Sequence, residues 1–183
     1  MNLEKFLLER KGNWIQTFSG KAFYPETVYE DDIDIIDIAH ALGMVCRYSG
    51  HAKSFFSVAE HSVIVSHLVP KGFELAGLLH DASEAYLTDV PRPIKPMIPY
   101  YKELEENLEK VIFKKYEIPF PVPPEVKEVD NRMLKTEYDQ IMFHGPHEWQ
   151  FFGEAFENVK IECWSPEVAK QKFLERFYEL VDL

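Results

Sequence analysis

Between Ser57 and Val69 the chain reads Ser-Val-Ala-Glu-His-Ser-Val-Ile-Val-Ser-His-Leu-Val, and its apolar residues point in nearly every direction around a helix. A helix that is apolar on most sides is stable only when surrounded, so this segment has to sit at the centre of the fold with other elements wrapped around it. Ser57-Val-Ala-Glu60 has the form of a capping box that opens the helix, and Pro70-Lys-Gly72 ends it. Its second turn carries His61, so the fold's central element also brings an imidazole inside.

A second stretch, Gly77-Leu-Leu-His-Asp-Ala-Ser-Glu-Ala-Tyr86, sets three polar groups into an otherwise apolar run. Leu75, Leu78, Leu79, Ala82 and Ala85 form a stripe that buries a helix running to about Leu87. On such a helix His80 and Glu84 share a face, and Asp81 lies beside them. Burying the stripe carries this polar edge toward the interior, where charges survive only when paired or coordinated.

The remaining elements complete an expected all-α, compact helical bundle with a small N-terminal β-hairpin. Trp14 to Tyr24 reads as two short β-prone runs around a Ser-Gly turn. Ile35, Ile38, Leu42 and Val45 recur at helical spacing, which predicts a helix ending just after Arg47, near the glycine of Tyr48-Ser-Gly50. A proline-rich loop spans Asp89 to Pro96. Tyr101 to Tyr116 forms an amphipathic helix with Leu104, Leu108 and Val111 or Ile112 inward and a Glu106–Lys110 pair outward. Pro124 suits the first turn of the next helix, whose inward set is Val126, Val129, Met133, Leu134 and Ile141, and Asp130 falls within that set. Ser165-Pro-Glu opens the last helix after an aromatic, irregular stretch.

Without a Gly/Ser-rich linker, repeat or low-complexity run, residues 1–183 fit one domain. The charges in Met1 to Arg10 come too early for a secretory apolar region, and no stretch approaches membrane-spanning length; the expected compartment is the cytoplasm, with no membrane partner. Cys46 and Cys163 form no C-x-x-C motif. A net charge of −11 opposes binding to a nucleic-acid polymer, which depends on Lys and Arg neutralising phosphates, but leaves room for a small anion where basic residues gather. Glu30-Asp31-Asp32 and Glu103 to Glu109 read as solvated faces.

His61, His80-Asp81 and Asp130 together supply two imidazoles and two carboxylates. That borderline-to-hard set suits Mn²⁺, Fe²⁺, Co²⁺, Ni²⁺ or Zn²⁺, with Mg²⁺ also compatible, and in octahedral geometry leaves positions for water or substrate. Arg47, Lys95 and Arg92 are candidate clamps for phosphate oxygens, and His51 in Gly50-His-Ala-Lys is either a further phosphate contact or a surface residue. Each has a plain structural alternative: a neighbouring carboxylate for Arg47, solvent for Arg92, a turn cap for Asp89, and an edge salt bridge for Glu84.

The order His…His-Asp…Asp resembles the signature of the HD-domain metal-dependent phosphohydrolases. Phe55-Phe-Ser-Val-Ala-Glu-His-Ser62 resembles the segment carrying their first ligand. His80-Asp-Ala-Ser-Glu-Ala-Tyr-Leu-Thr-Asp-Val-Pro-Arg-Pro-Ile-Lys95 is similar to the corresponding segment of the bacterial 5′-deoxynucleotidase branch. Over residues 40–140 this resemblance implies an HD-domain bundle around one divalent metal, with His61, His80, Asp81 and Asp130 as ligands and Glu84 as acid/base residue. It also implies Asp89 near the sugar, Arg47 on the phosphate and a homodimer. Tyr48, Arg92 and the hairpin depart from the branch's pattern, which leaves base, sugar and chain length open. The expected function is a metal-dependent phosphohydrolase acting on nucleotides or deoxynucleotides, of the 5′-nucleotidase or triphosphohydrolase type. The alternatives are a cyclic or linear nucleotide phosphodiesterase and a non-catalytic, metal-stabilised binding module.

Overall fold

A computed structural model describes residues 10–147 and 149–181; the charged run from Met1, on which the expected absence of a leader rests, falls outside them except for Arg10. The chain is an all-α bundle with a small N-terminal hairpin. Strands β1 (Ile15–Gln16) and β2 (Ala22–Phe23) are followed by α1 (Ile35–Met44), α2 (Val58–Leu68), α3 (Glu74–Leu79), α4 (Glu84–Leu87), α5 (Pro99–Lys115), α6 (Pro124–Ile141) and α7 (Pro166–Val181). The strands pair antiparallel, Ile15 with Phe23 and Gln16 with Ala22. Among the described residues no helix is long and apolar enough to cross a membrane.

Helix α2 is the hub, packed against α1, α3, α6 and α7. Val58, Ala59, Val63 and Val65 are buried in the main core with Ile38, Leu42, Leu78, Leu79, Met133 and Phe173. At ~1.5–3 kcal/mol for each fully buried Val, Leu or Phe, this core supplies the stabilisation that fixes α2 and, with it, His61. Gly77 decides how closely α3 approaches: a Cβ there would stand 3.2 Å from the Cα of Ser66 and 3.2 Å from a methyl of Val69. The bare glycine lets α3 lie against α2, and His80 follows two residues after its buried neighbour Leu78.

Three local readings of the sequence give way to tertiary contacts. Helix α1 stops at Met44 rather than after Arg47, because the next residues pair with the segment leading into α2. Arg47 N–H donates to the carbonyl of Phe56 (2.9 Å) and Val58 N–H to that of Val45 (3.0 Å). Arg47 is thereby delivered into a tight turn, Arg47–Gly50, in which Tyr48 and Ser49 adopt left-handed φ values of 57° and 51°.

The expected continuous helix through His80 is instead two short helices. Between α3 and α4 the chain tightens to i→i+3 hydrogen bonds, including Ala82 N–H to Leu79 (3.0 Å) and Glu84 N–H to Asp81 (3.0 Å). In that geometry residues three apart eclipse, so Glu84 aligns with Asp81 more closely than with His80. The capping box, finally, is half formed. Ser57 Oγ accepts from Glu60 N–H (3.1 Å), but the Glu60 carboxylate turns away and accepts from the backbone N–H groups of Glu162, Cys163 and Trp164.

The hairpin tip is tied to α1: Ser19 donates from both N and Oγ to Asp37 (2.6 and 2.8 Å), and Phe18 stacks on His40 at 3.8 Å. Two of the expected solvated acidic runs are partly interior. Asp32 is buried and receives two guanidinium bonds of 2.6 Å from Arg10, while Glu105 bonds Lys95 at 2.7 Å.

Candidate metal centre

The side chains of His61, on α2, and His80, at the end of α3, meet beneath α6. Both imidazoles are buried. Their Nδ1 atoms are occupied: that of His61 lies 2.5 Å from a carboxylate oxygen of Glu137, and that of His80 lies 2.8 Å from the carbonyl oxygen of Gly77. These partners are acceptors, so both Nδ1 atoms donate, and each neutral ring keeps its lone pair on Nε2.

The two Nε2 atoms face each other at 3.3 Å. Asp130, on α6, places Oδ1 3.2 Å from Nε2 of His61 and 3.9 Å from Nε2 of His80. Asp81 places Oδ2 3.2 Å from Nε2 of His80 and 3.7 Å from Nε2 of His61. A cation holding donors at about 2.1 Å spaces neighbouring donors about 3.0 Å apart in an octahedron and about 3.4 Å in a tetrahedron. The donor separations around the two imidazoles, 3.2 to 3.9 Å, span the tetrahedral spacing and start just above the octahedral one. His61, His80 and Asp130 therefore form a group that could hold a metal ion.

The centre is closed behind and open in front. The imidazole side chains are 0% and 6% exposed, whereas the carboxylate side chains of Asp81 and Asp130 are 21% and 27% exposed, so any approach is from the carboxylate side. Charge is unbalanced in the same place. Asp81, Asp130 and Glu137 face one guanidinium, that of Arg47, which reaches Asp81 at 3.3 Å and Glu137 at 3.2 Å. Three carboxylates against one cation leave two negative charges when both imidazoles are neutral.

Protons take up part of this excess. Burial and Arg47 push the His61 imidazole down, but Glu137 and Asp130 outweigh them and lift it to about 9. His80 also rises, Asp81 and Asp130 overcoming burial. Burial would raise Asp81, yet His80, His61 and Arg47 hold it far below the usual carboxylate range.

Glu84 behaves in the opposite way. It is buried, its Oε2 has no hydrogen-bond partner, and burial with the charges of Asp81 and Asp89 raises its carboxyl well above the ordinary range. Lys95 Nζ lies 3.6 Å from Glu84 and 2.7 Å from Glu105. Asp89 is half-buried in the same electrostatic neighbourhood, raised by burial and Asp81 and lowered by Arg47.

Of the residues singled out from sequence, His61, His80, Asp81 and Asp130 converge; Arg47 touches them through Asp81, and Glu84, Lys95 and Asp89 line one side. Arg92 and His51 are exposed and carry no contact with the cluster. His40 lies under Phe18, at the hairpin tip.

Glu137 escaped the sequence reading. It is fully buried and receives His61, Arg47 Nε and the hydroxyl of Tyr48. Its signal was present, seven residues after Asp130 and so on the same helix face, and flanked at four-residue spacing by Met133 and Ile141. Glu109, expected on a solvated face, is half-buried on α5, and burial with Glu105 pushes it up to about 7.

Fold and site together define an all-α bundle with a His–His–Asp group, its imidazoles buried, that could hold a metal ion. The chain is 40% identical over 173 residues to the uncharacterized protein YfdR of Escherichia coli (strain K12), covering 93% of this chain and 97% of that protein. It belongs to the same family as YfdR. An uncharacterized protein of Rhodobacter capsulatus is 32% identical over 145 residues, covering 72% of this chain and 74% of the relative. No family model matches the chain.

Proposed function

We propose that the protein is an HD-type, metal-dependent phosphohydrolase acting on a nucleotide or deoxynucleotide. His61, His80, Asp81 and Asp130 would hold one divalent cation. The carrying observation is the partnerless Oε2 of buried Glu84 beside a donor cluster in which three carboxylates face one guanidinium. A structural metal site needs its ligands alone; a carboxyl group with a free oxygen next to them is what hydrolysis needs.

When bound, a divalent cation lowers the pKa of water and neutralises phosphate charge. The chain's own residues do the rest. Glu84 exchanges a proton at Oε2 with the attacking water or the departing oxygen, so that water adds to phosphorus, the ester P–O bond breaks and the alcohol leaves neutral. Arg47, whose guanidinium already reaches Asp81, offers its remaining N–H groups to phosphate oxygens. Lys95 adds a second positive charge on the Glu84 side. The open carboxylate side offers a small anion a way to the cluster in a protein whose overall charge of −11 disfavours a polyanion.

The test is turnover by metal-stripped protein, with Mn²⁺, Co²⁺, Zn²⁺ or Mg²⁺ restored, against nucleoside mono-, di- and triphosphates and cyclic dinucleotides, with products resolved chromatographically. Metal-dependent release of phosphate that disappears in Asp81→Ala and Glu84→Gln supports the proposal. Metal binding without turnover of any substrate overturns it in favour of a stabilising site.

A further inference from the structure

We propose that Glu137 is a positioning residue that sets the tautomer of His61 and, through the same carboxylate, the orientation of Arg47. This rests on the metal-site reading but concerns residues behind the donor cluster. The observations are geometric. One fully buried carboxylate accepts from three donors on two separate segments: His61 Nδ1 on α2 at 2.5 Å, and Arg47 Nε at 3.2 Å and the Tyr48 hydroxyl in the turn before α2. Its two oxygens divide the work, Oε1 facing His61 and Oε2 facing Arg47 and Tyr48.

An imidazole has two nitrogens, and the proton on one is chosen by the partner of the other. A carboxylate can only accept, so Oε1 of Glu137 holds the proton on Nδ1 and keeps the Nε2 lone pair aimed at His80 and Asp130. Outer carboxylates of this kind orient a ligand ring and increase its basicity. Arg47 is oriented at the same time. With Nε fixed on Glu137, its terminal nitrogen is carried to Asp81 at 3.3 Å, on the open side of the cluster.

The tie closes a ring of contacts through His61, Asp81, Arg47 and Glu137. The left-handed φ values of Tyr48 and Ser49 are the backbone route by which the turn brings both the guanidinium and the hydroxyl to one carboxylate. A role in packing alone would need neither an acceptor nor a charge at this position.

Glutamine separates the possibilities. It preserves the shape of Glu137 but replaces one acceptor oxygen by an NH₂ donor. If that donor faces His61, the ring must accept on Nδ1 and carry its proton on Nε2, which removes the ligand lone pair. If it faces the turn, Arg47 Nε loses its acceptor.

The experiment uses the full chain and two readouts: side-chain ¹⁵N–¹H correlation spectra that assign the His61 tautomer in metal-free and Zn²⁺-loaded protein, and Zn²⁺ affinity by competition with a chelator. In wild type, read above about pH 9 in the metal-free chain so that the ring is neutral, His61 carries its proton on Nδ1. Glu137→Gln weakens Zn²⁺ about 10- to 100-fold, with loss of the Nδ1–H signal or displacement of the Arg47 Nε–H signal. Glu137→Asp, which keeps charge and acceptor, retains the Nδ1–H tautomer and binds Zn²⁺ more tightly than Glu137→Gln. Wild-type affinity with unchanged His61 and Arg47 signals in Glu137→Gln overturns the proposal. So does the Nε2–H tautomer in Glu137→Asp, which decides the matter even where Glu137→Gln fails to fold. If wild type itself binds no Zn²⁺, the metal-site reading falls, while the tautomer spectra of the metal-free chain still judge Glu137.

Discussion

The Nε2 atoms of His61 and His80 face each other across 3.3 Å while both Nδ1 atoms are committed to acceptors. Two neutral rings so held direct lone pairs at one point, which is tolerable only when a proton or metal cation lies between them. Adding Zn²⁺ or Mn²⁺ to metal-stripped protein is therefore expected to stabilise the fold. At a free concentration 100 times Kd the gain is ~2.7 kcal/mol, and for a chain of this size that raises Tm by about 5–10 °C. Calorimetry with and without a chelator checks this; an unchanged Tm would count against the cation.

Asp130→Asn is expected to keep the bundle and lose the metal. Asp130 is partly exposed at the cluster's front and holds no part of the apolar core. Its carboxylate, however, is one of the donors within reach of both imidazoles. Affinity should fall by at least as much as for an outer-sphere change, on the order of 100-fold or more, with near-native far-UV circular dichroism. Chelator competition measures it.

Glu84→Gln separates chemistry from stability. Burial, Asp81 and Asp89 raise the native carboxyl well above its ordinary range and so favour its neutral form, and a neutral amide of the same shape should leave Tm within a few degrees of wild type. Turnover should fall about 10²- to 10⁴-fold, the usual size of a general acid or base contribution, with metal affinity little changed. Parallel kcat and calorimetric measurements test the split.

Glu109 gives a pH signature. Burial and Glu105 raise its carboxyl to about 7, so between about 4.5 and about 7 the folded chain keeps a proton that the unfolded chain has lost. The native state then binds more protons, and stability from this group falls as pH rises through that window. Glu109→Gln escapes the loss. In metal-free protein its Tm relative to wild type should grow from pH 4.5 to pH 7 and level off by about pH 8; an advantage that shrinks with pH contradicts the assignment.

Glu60→Ala should loosen the approach to α7. It strips the acceptor from the backbone N–H groups of Glu162, Cys163 and Trp164, which lie just before that helix. These donors are only partly buried and water can reach them, so the loss is expected to be that of a few ordinary hydrogen bonds, about 1–3 kcal/mol. Denaturant unfolding should show a lower midpoint with little change in slope.

Much of this was legible in one dimension. The all-round apolarity of Ser57–Val69 announced a central helix, the Ser-Gly turn announced the hairpin, and Pro124 and Ser165 marked helix starts at Pro124 and Pro166. His61, His80 and Asp130 were recognisable because ligand chemistry is a property of residue type, and periodicity shows which of those residues turn inward. Local composition settles such matters, since propensity, capping and amphipathic period act over one or two helical turns.

What composition could not settle was decided by contacts between distant segments. Helix α1 ends early because Arg47 finds a backbone partner in Phe56, and the α3–α4 break sets Glu84 beside Asp81. Glu60 left its own helix for a loop more than a hundred residues away. Glu137, ordinary on a charged helix, became the acceptor for His61, Arg47 and Tyr48 only when α6 packed across α2. In each case a buried polar group must be satisfied where it finally lies, and its partner is chosen by the folded chain rather than by neighbours in sequence.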